Sequence, residues 1–385
     1  MKFEFTTATR IIFGAGALSE AGALAREFGS HALVVTGRDS SRAGKLLALL
    51  REAGVGTATF SVSGEPEIST IEQGTTFAKK ENCDFVIAFG GGSVLDAAKA
   101  IAAMLANDGE LLDYVEIIGR GKPLTKPSAS FIAIPTTAGT GAEVTRNAVL
   151  ASPEHKLKVS LRSPLMLAKV ALVDPELTYD LPPGITARTG LDALTQLIEP
   201  FVCSRANPMT DGLCVEGIRR ASRSLRVAFT DGQNKSAREN MAVASLFGGL
   251  ALANAGLGAV HGFAGPIGGM FPAAPHGAIC AALLSDGMKA NICALRQRAL
   301  DSDALRRYDE VARLLTGNAS ATADDGAKWV HQLISDLKIP QLGAYGVKSK
   351  HVSDVVAKAL NASSMKANPI VLTPEELAET LRQAL

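Results

Sequence analysis

The residues with the clearest chemical potential lie in the second half of the chain: Asp192, Gln196, His261 and His276. Asp192 and Gln196 share one face of the predicted helix TGLDALTQLIEP, because their positions differ by four. His261 and His276 belong to HGFAGPIGGMFPAAPHGA, a glycine- and proline-rich break predicted between helices. A carboxylate and two imidazoles together bind a divalent metal that acts as a Lewis acid on a hydroxyl or carbonyl. The alternative is a helix carboxylate and two loop histidines making ordinary hydrogen bonds.

A second chemical motif is FVIAFGGGSVLDAAK, residues 85–99, where an apolar strand enters three glycines and a serine before a helix predicted from Val94. We expect the glycines, 90–92, to adopt φ > 0 and bring backbone N–H groups close to a pyrophosphate. The helix start adds unpaired N–H groups and partial positive charge. Asp96 is suited to hydrogen-bond a ribose or nicotinamide group, and Lys99 to approach the phosphates. The alternative is a strand-to-helix turn that holds no ligand.

The elements that position the glycine motif alternate between strand and helix from residue 1 to about 180. This alternation predicts βαβ units around a parallel sheet. The clearest predicted strands are Ala32–Thr36, Thr57–Ser61, Phe85–Phe89 and Phe131–Ile134. The predicted intervening helices are Ala17–Phe28, Gly44–Ala53, Ile68–Glu81 and Val94–Met104. Continuous apolar strands indicate a Rossmann-like sheet buried on both faces.

The pattern changes after the apolar segment Val170–Asp174, at the proline-rich break LTYDLPPGI, residues 177–185. Most of the following chain has apolar residues three and four apart, which predicts helices. The main predicted helices are Ala187–Cys203, Pro208–Phe229, Arg238–Ala255 and Pro374–Leu385. We therefore expect an α/β dinucleotide-binding domain over 1–180 and an all-helical metal and substrate domain over 181–385.

Composition limits the class of protein. The 385 residues include 39 Lys and Arg against 38 Asp and Glu, so no charge excess attracts nucleic acid or an anionic membrane. Five cysteines without a CxxC pair indicate neither a disulfide framework nor a zinc ribbon. The start MKFEFTTATR lacks the apolar core of a signal peptide, and no apolar run reaches the length of a membrane span. We expect a cytoplasmic protein.

Five ordered motifs together resemble the iron-containing (group III) alcohol dehydrogenase family. They are GGGSVLDAAK at 90–99, IPTTAGTG at 134–141, VDPEL at 173–177, GLDA at 190–193 with Glu199, and HGFAGPIGG…PHGA at 261–278. The resemblance spans nearly the whole chain. It implies a dehydroquinate synthase-like architecture and NAD(P)-dependent interconversion of an alcohol and its aldehyde or ketone in an interdomain cleft. It also implies a homodimer or a larger homo-oligomer.

The resemblance also implies roles for individual residues. Gly91, Gly92 and Ser93 would hold the pyrophosphate, and Asp96 would contact the nicotinamide side. The other implied cofactor residues are Thr136, Thr137 and Thr140 on the adenosine and phosphate path, Lys158 at the nicotinamide ribose, and Leu177 packed nearby. The family's iron or zinc ligands are an aspartate and three histidines, which correspond here to Asp192, Gln196, His261 and His276.

Three positions depart from the family pattern. Gln196 replaces a histidine ligand, which weakens the expected metal affinity because an amide oxygen is a poorer ligand than imidazole. Gly265 replaces a histidine credited with relaying the alcohol proton, so the relay must pass through His261, His276, water or a cofactor hydroxyl. Gly37 replaces an aspartate that bonds the ribose 2′-hydroxyl; a 2′-phosphate then meets no repulsion, and Arg38 or Arg42 can neutralise it. We therefore expect NADP to be accepted or preferred; the alternative is a plain turn with solvated arginines.

Other functions remain open from the sequence. A metal-independent reductase of the maleylacetate reductase type fits the non-histidine position 196, although no cationic residue for a dicarboxylate substrate can be identified. A non-catalytic dinucleotide-binding protein fits the two missing histidines. A lyase or synthase related to the dehydroquinate synthases shares the architecture but matches the motifs less well.

Overall fold

The computed structural model of the protein describes residues 2–385, which form two compact units. Residues 6–137 and 141–178 form the first, called the sheet unit below. Residues 2–5, 138–140 and 179–385 form the second, called the helical unit. The predicted functional division at residue 180, into a cofactor domain and a metal domain, stays a prediction.

The sheet unit contains a six-stranded parallel sheet in the order β1-β8-β5-β4-β2-β3, which confirms the predicted α/β class. Its strands are β1 (Arg10–Phe13), β2 (His31–Thr36), β3 (Gly56–Ser61), β4 (Phe85–Gly90), β5 (Phe131–Pro135) and β8 (Val170–Val173). β2 lies between β3 and β4, so the direction of winding reverses at the β2–β4 pair. Ligands of open α/β sheets bind beyond the carboxyl ends of strands at such a reversal.

Helices of the sheet unit connect these strands. They are α1 (Ala21–Arg26), α2 (Gly44–Glu52), α3 (Ile68–Lys80), α4 (Gly92–Ala106) and α5 (Leu111–Tyr114). β4 is buried along its whole length, and side chains such as Phe85 and Ile87 pack in a core with Leu46 and Leu50 of α2. Burial on both faces explains why its sequence is continuously apolar.

A two-stranded antiparallel hairpin, β6 (Asn147–Ser152) and β7 (Leu157–Arg162), also belongs to the sheet unit. The sequence prediction contained neither this hairpin nor β1. Both hairpin strands alternate buried and partly exposed residues and carry polar side chains. Their alternating pattern is a much weaker sequence signal than the continuous apolar runs of the central sheet.

The helical unit confirms the predicted all-α class of the second half. Its helices are α6 (Pro183–Val202), α7 (Pro208–Thr230), α8 (Lys235–Asn254), α9 (Ala259–Met270), α10 (His276–Arg298), α11 (Asp303–Thr316), α12 (Ala323–Asp336), α13 (Val352–Leu360) and α14 (Pro374–Gln383). The start of α7 follows from its sequence, since Asn207 accepts a hydrogen bond from the Thr210 N–H and Pro208 occupies the first turn. Asn234 caps α8 in the same way.

The expected break around His261 and His276 is largely helical, so that prediction was wrong. His261 lies inside α9, and His276 is the first residue of α10. α9 contains Pro266, which removes a backbone hydrogen bond and costs about 3 kcal/mol in a helix interior. Phe263 and Ile267 are fully buried, so apolar packing sustains the helix despite its glycines and proline.

One helix, α10, passes a length and hydropathy test for a membrane span, contrary to the expectation that no stretch does. Within this helix, 72% of the apolar window is buried inside the protein. α8 and α9 pass the test only as a pair bent by 96°. The apolar composition of α10 is therefore explained by its position in the core of the helical unit.

Candidate functional site

Four donor side chains converge in the helical unit. Asp192 lies in the middle of α6, His261 in the first turn of α9, and His276 opens α10, with Cys280 one turn later. One ligand atom from each of the four lies within 4.8 Å of all the others. The structure thus brings together Asp192, His261 and His276, as predicted, and adds a thiol to them.

The separations within this cluster suit a shared cation. The Nε2 atoms of His261 and His276 lie 3.5 and 3.8 Å from Asp192 Oδ1. Cys280 Sγ lies 3.7 Å from each of the same two nitrogens. Among residues 2–385, Asp192 Oδ1 has no hydrogen-bond partner although it is buried. An unpartnered buried carboxylate oxygen is costly, whereas oxygen, imidazole and thiolate donors together suit a divalent transition metal. The residues present therefore fit a metal.

Glu199, which lies seven residues or about two helical turns after Asp192 on α6, contacts the cluster through His261. Its Oε2 lies 2.6 Å from His261 Nδ1, and its Oε1 accepts a hydrogen bond of 2.8 Å from the Val260 N–H. The carboxylate thereby satisfies a free N–H at the start of α9, which has no side-chain cap of its own. It also places the Nδ1 proton so that His261 Nε2 faces the cluster.

Gly277 allows α10 to approach α6. A Cβ at this position would lie 2.5 Å from the Arg188 carbonyl oxygen and 3.4 Å from Asp192 Cβ. Any larger residue would push the first turn of α10 away from α6. The separation of Asp192 from His276 and Cys280 therefore depends on a glycine between the two α10 donors.

The ionisable side chains of the cluster stabilise one another's charged forms. Burial alone would raise the pKa of Asp192, but the two histidines outweigh it and lower that pKa. Burial alone would lower the pKa of His261, but Cys280, Glu199 and Asp192 raise it well above its ordinary value. The pKa of Cys280 is lowered because both imidazoles outweigh the effect of burial. Imidazole and acidic groups at such distances stabilise each other's charged forms.

Gln196 shares the buried face of α6 with Asp192. Its amide nitrogen donates a hydrogen bond of 3.1 Å to the Gly139 carbonyl, within the helical unit. A Cβ on Gly248 of α8 would lie 3.2 Å from Gln196 Cβ, so the stem of this side chain is closely packed. Its predicted role as a ligand stays a prediction.

Cys280 is the cluster member that the sequence analysis missed. Its sequence signal is the spacing of four from His276 at the start of a helix, which places both side chains on one face. A spacing of four carries this meaning only within a helix, and the sequence predicted a break between helices at His276. Gly265, at the position of the missing relay histidine, lies on α9, and a Cβ there would meet no atom within 4 Å.

In the sheet unit, the glycine motif forms the turn from β4 into α4. The expectation of positive φ at residues 90–92 was wrong: all three are absent from the residues with positive φ in the described chain. Glycine is required at position 90 for a steric reason instead, because a Cβ there would lie 2.6 Å from Val94 Cβ. A Cβ on Gly91 would lie 3.3 Å from Thr137 Oγ1. α4 begins at Gly92, so Gly92 and Ser93 present its first N–H groups.

Lys99 does not project toward the glycine turn as expected. Its fully buried ammonium contacts Asp96 Oδ1 at 3.0 Å and donates to Thr145 Oγ1 at 2.8 Å and to the Asn147 carbonyl. Asp96 Oδ2 accepts a hydrogen bond of 3.0 Å from the Val149 N–H. Burial raises the pKa of Asp96 despite the opposing Lys99 charge. The pair joins α4 to β6, and Lys99 is a structural residue.

The remaining predicted cofactor residues occupy separate places. The Thr136 N–H donates 2.9 Å to the Gly90 carbonyl, so this threonine lies beside the glycine turn. Lys158 on β7 forms an ion pair of 2.9 Å with Glu65. Leu177 lies in the 3-10 helix Pro175–Thr178 against the sheet-unit core. Thr140 belongs to the helical unit. Their contacts with a cofactor stay predictions.

Gly37 follows the end of β2, beside the end of β4 across the winding reversal. Arg38 donates through Nε to Ser63 Oγ at 3.3 Å. The nearest carboxylate along the chain, Asp39, accepts from the Ser41 N–H and hydroxyl and caps the 3-10 helix Ser40–Ala43. Asp39 Oδ1 is thus hydrogen-bonded to Ser41. Two arginines, Arg38 and Arg42, lie in the same short segment.

Comparison with known proteins links both halves of the chain to one family. A family model described as iron-containing alcohol dehydrogenase matches residues 8–175. A model described as the C-terminal part of the Fe-containing alcohol dehydrogenase family matches residues 186–385.

Individual relatives agree with these matches. Alcohol dehydrogenase 4 of Schizosaccharomyces pombe is 35% identical over 97% of this chain and 87% of its own length. The NAD-dependent methanol dehydrogenase of Bacillus methanolicus is 32% identical over 97% of each chain. A crystal structure of a 1,3-propanediol oxidoreductase superposes with a TM-score of 0.93 at 34% identity, covering 100% of both chains.

Proposed function

The chain belongs to the iron-containing alcohol dehydrogenase family, and we propose that Asp192, His261 and His276 hold its catalytic metal while the β4–α4 turn holds the cofactor pyrophosphate. The enzyme interconverts an alcohol and its aldehyde with NAD as the hydride carrier. The observation that carries the metal assignment is the unpartnered, buried Asp192 Oδ1 between two imidazole nitrogens. A divalent cation there supplies Lewis acidity toward the substrate oxygen.

The protein side chains prepare the site for this reaction. Asp192 contributes a buried carboxylate whose Oδ1 accepts no hydrogen bond, and Glu199 keeps the proton of His261 on Nδ1. Gln196 cannot titrate at neutral pH. The open space beside Gly265 favours release of the alcohol proton to water rather than to a side chain on α9.

The β4–α4 turn suits the cofactor on three grounds within the sheet unit. It lies at the carboxyl end of β4, at the winding reversal of the sheet. α4 is a helix of 15 residues whose first N–H groups and partial positive charge favour phosphate. Gly91 leaves the backbone uncovered beside Thr137, so Gly91, Gly92 and Ser93 form the cradle. Bound NAD(P) supplies the hydride acceptor or donor.

NADP is accepted or preferred, as supported by the segment after β2. Gly37 offers no carboxylate to repel a 2′-phosphate, and Asp39 Oδ1 is held at the start of the 3-10 helix by hydrogen bonds from the Ser41 N–H and hydroxyl. The guanidinium groups of Arg38 and Arg42 provide the compensating charge. Comparing kcat/KM for NAD and NADP in the wild type and in Gly37→Asp tests this assignment; the variant should lose NADP efficiency selectively. A wild-type enzyme with a strong NAD preference would contradict it.

The proposed metal is tested by assays of chelated protein. Protein stripped of metal should lose oxidation of small primary alcohols and regain it with iron(II) or zinc. Asp192→Asn should not regain activity at the same metal concentration. Full turnover by metal-free wild type would instead favour the metal-independent maleylacetate reductase type, which the non-histidine position 196 also suits. Reduction of maleylacetate by the stripped enzyme would then identify that alternative.

The family resemblance implies the assembly, and the cysteine content indicates the location. We infer a homodimer or larger homo-oligomer in the cytoplasm, consistent with five free cysteines. Sedimentation equilibrium gives the mass directly: a value above the 40.0 kDa of one chain supports the oligomer, and a monomer contradicts it.

A further inference from the structure

We propose that the Cys280 thiolate, and not the Gln196 amide, is the fourth protein ligand of the metal. The inference rests on the proposed metal site and specifies its composition. It makes the ligand set one carboxylate, two imidazoles and one thiolate, drawn from α6, α9 and α10.

Four of the six donor-to-donor separations lie close to the edges of a tetrahedral ligand set, and the other two are at most 4.8 Å. Metal bonds of about 2.0–2.1 Å to nitrogen or oxygen and about 2.3 Å to sulfur give tetrahedral edges of about 3.3–3.6 Å. The observed edges are 3.5 and 3.8 Å from Asp192 Oδ1 to the imidazoles, and 3.7 Å from Cys280 Sγ to each imidazole. These four separations exceed the tetrahedral edges by no more than a few tenths of an ångström.

The position of Cys280 is fixed by the helices that carry it. His276 and Cys280 are one turn apart on α10, and Gly277 between them permits close contact with α6 beside Asp192. Cys280 is fully buried, and its Sγ lies 3.7 Å from the Nε2 atom of each cluster imidazole. A buried cysteine with apolar neighbours alone would be a packing residue. This one faces two ligand nitrogens instead.

Gln196 is less suited than Cys280 to bind the metal. Its amide nitrogen is engaged with the Gly139 carbonyl, and its remaining donor is a neutral amide oxygen. A thiolate brings negative charge and a softer donor, which favours zinc over magnesium, calcium or manganese. With these four residues holding it, a cation would supply Lewis acidity to a substrate oxygen only if it accepted a further ligand, as some catalytic zinc sites do.

Cobalt(II) substitution tests the inference because a cobalt–thiolate bond has a sulfur-to-metal charge-transfer band in the near ultraviolet. Stripped wild-type protein loaded with one equivalent of cobalt should show this band. Cys280→Ser should lose it while keeping visible d–d bands of cobalt held by the other donors. Gln196→Ala should retain it, as should Cys293→Ser, a matched control for an exposed cysteine on the same helix.

X-ray absorption of the zinc-loaded wild type provides a second readout that needs no variant to fold. The inference predicts one sulfur at about 2.3 Å among nitrogen and oxygen ligands. A shell of nitrogen and oxygen alone, or a charge-transfer band that survives Cys280→Ser, overturns the role of Cys280 but leaves the proposed dehydrogenase site intact. Failure of wild-type protein to bind cobalt or zinc overturns both proposals.

Discussion

His261 Nδ1 lies 2.6 Å from Glu199 Oε2, and the other oxygen of the same carboxylate accepts the Val260 N–H at 2.8 Å. One side chain from α6 thus caps the first turn of α9 and orients the imidazole in that turn. The local backbone and the ligand geometry are therefore coupled: a change at Glu199 affects both the start of α9 and the direction of His261 Nε2.

Replacing Glu199 with glutamine should weaken metal binding. The amide keeps the size of the side chain, but it has no negative charge to polarise the Nδ1–H bond and has one oxygen for two donors. Such supporting partners are typically worth about 10–100-fold in metal affinity or activity. Competition with a chromophoric chelator measures the loss. Glu379→Gln on the exposed surface of α14 is the control; equal affinities in both variants would contradict the role of Glu199.

Gly277→Ala should separate the ligands. The new Cβ would lie 2.5 Å from the backbone oxygen of Arg188, so the first turn of α10 must move from α6. Metal content and turnover should both fall sharply. Gly265→Ala on α9 is the matched control, because its Cβ meets no atom within 4 Å. Replacing a helical glycine there should be neutral or stabilise the protein by up to about 1 kcal/mol. Similar metal contents in the two variants would show that close contact at Gly277 is unnecessary.

His261→Ala should lower turnover much more than His331→Ala. His261 supplies a donor nitrogen to the cluster, whereas His331 is an exposed residue of α12. Loss of a direct ligand should reduce kcat/KM by at least about 100-fold, since outer partners alone are worth up to that amount. Steady-state kinetics with one alcohol and one cofactor provide the comparison. Equal effects would mean that the catalytic centre lies elsewhere.

The sequence predicts the central sheet well because burial on both faces leaves an unmistakable pattern. The predicted ends of β2, β4 and β5 differ from the observed ends by one residue at most. The hairpin β6–β7 was missed because its strands are half polar and lack the continuous apolar run of the central strands. α9 was missed because glycine and proline normally interrupt helices, and only the surrounding apolar core explains their presence here.

In the candidate site, as in the fold, the residues with a clear local sequence pattern were predicted, and those that depend on tertiary packing were not. Asp192, His261 and His276 were identified from their residue types and from the ordered motifs that surround them. The contact of Lys99 with Asn147 depends on how distant segments pack, which no local spacing reveals. Cys280 follows His276 by four residues, but this spacing places both side chains on one face only because a helix begins at His276. The positive φ expected at residues 90–92 failed for a related reason: these glycines leave room for Val94 and Thr137 instead.

Glu143→Gln should change how stability depends on pH. Glu143 lies in the 3-10 helix Ala142–Val144 of the sheet unit, and burial raises its pKa from 4.5 to about 7. The folded protein therefore holds this proton more tightly than the unfolded chain does. As pH rises from about 4.5 to about 7, the wild type should lose up to about 3 kcal/mol of unfolding free energy through this group. The loss is complete above pH 7.

The glutamine variant carries no titrating group at this position, so its stability should fall less over the same interval. Denaturant unfolding at pH 5 and pH 8 should show the variant gaining stability relative to the wild type at the higher pH. Glu154→Gln, at an exposed position in the β6–β7 turn, controls for the loss of a surface carboxylate. If Glu143→Gln and wild type keep a constant difference between pH 5 and pH 8, Glu143 is ionised at an ordinary pKa in the folded protein.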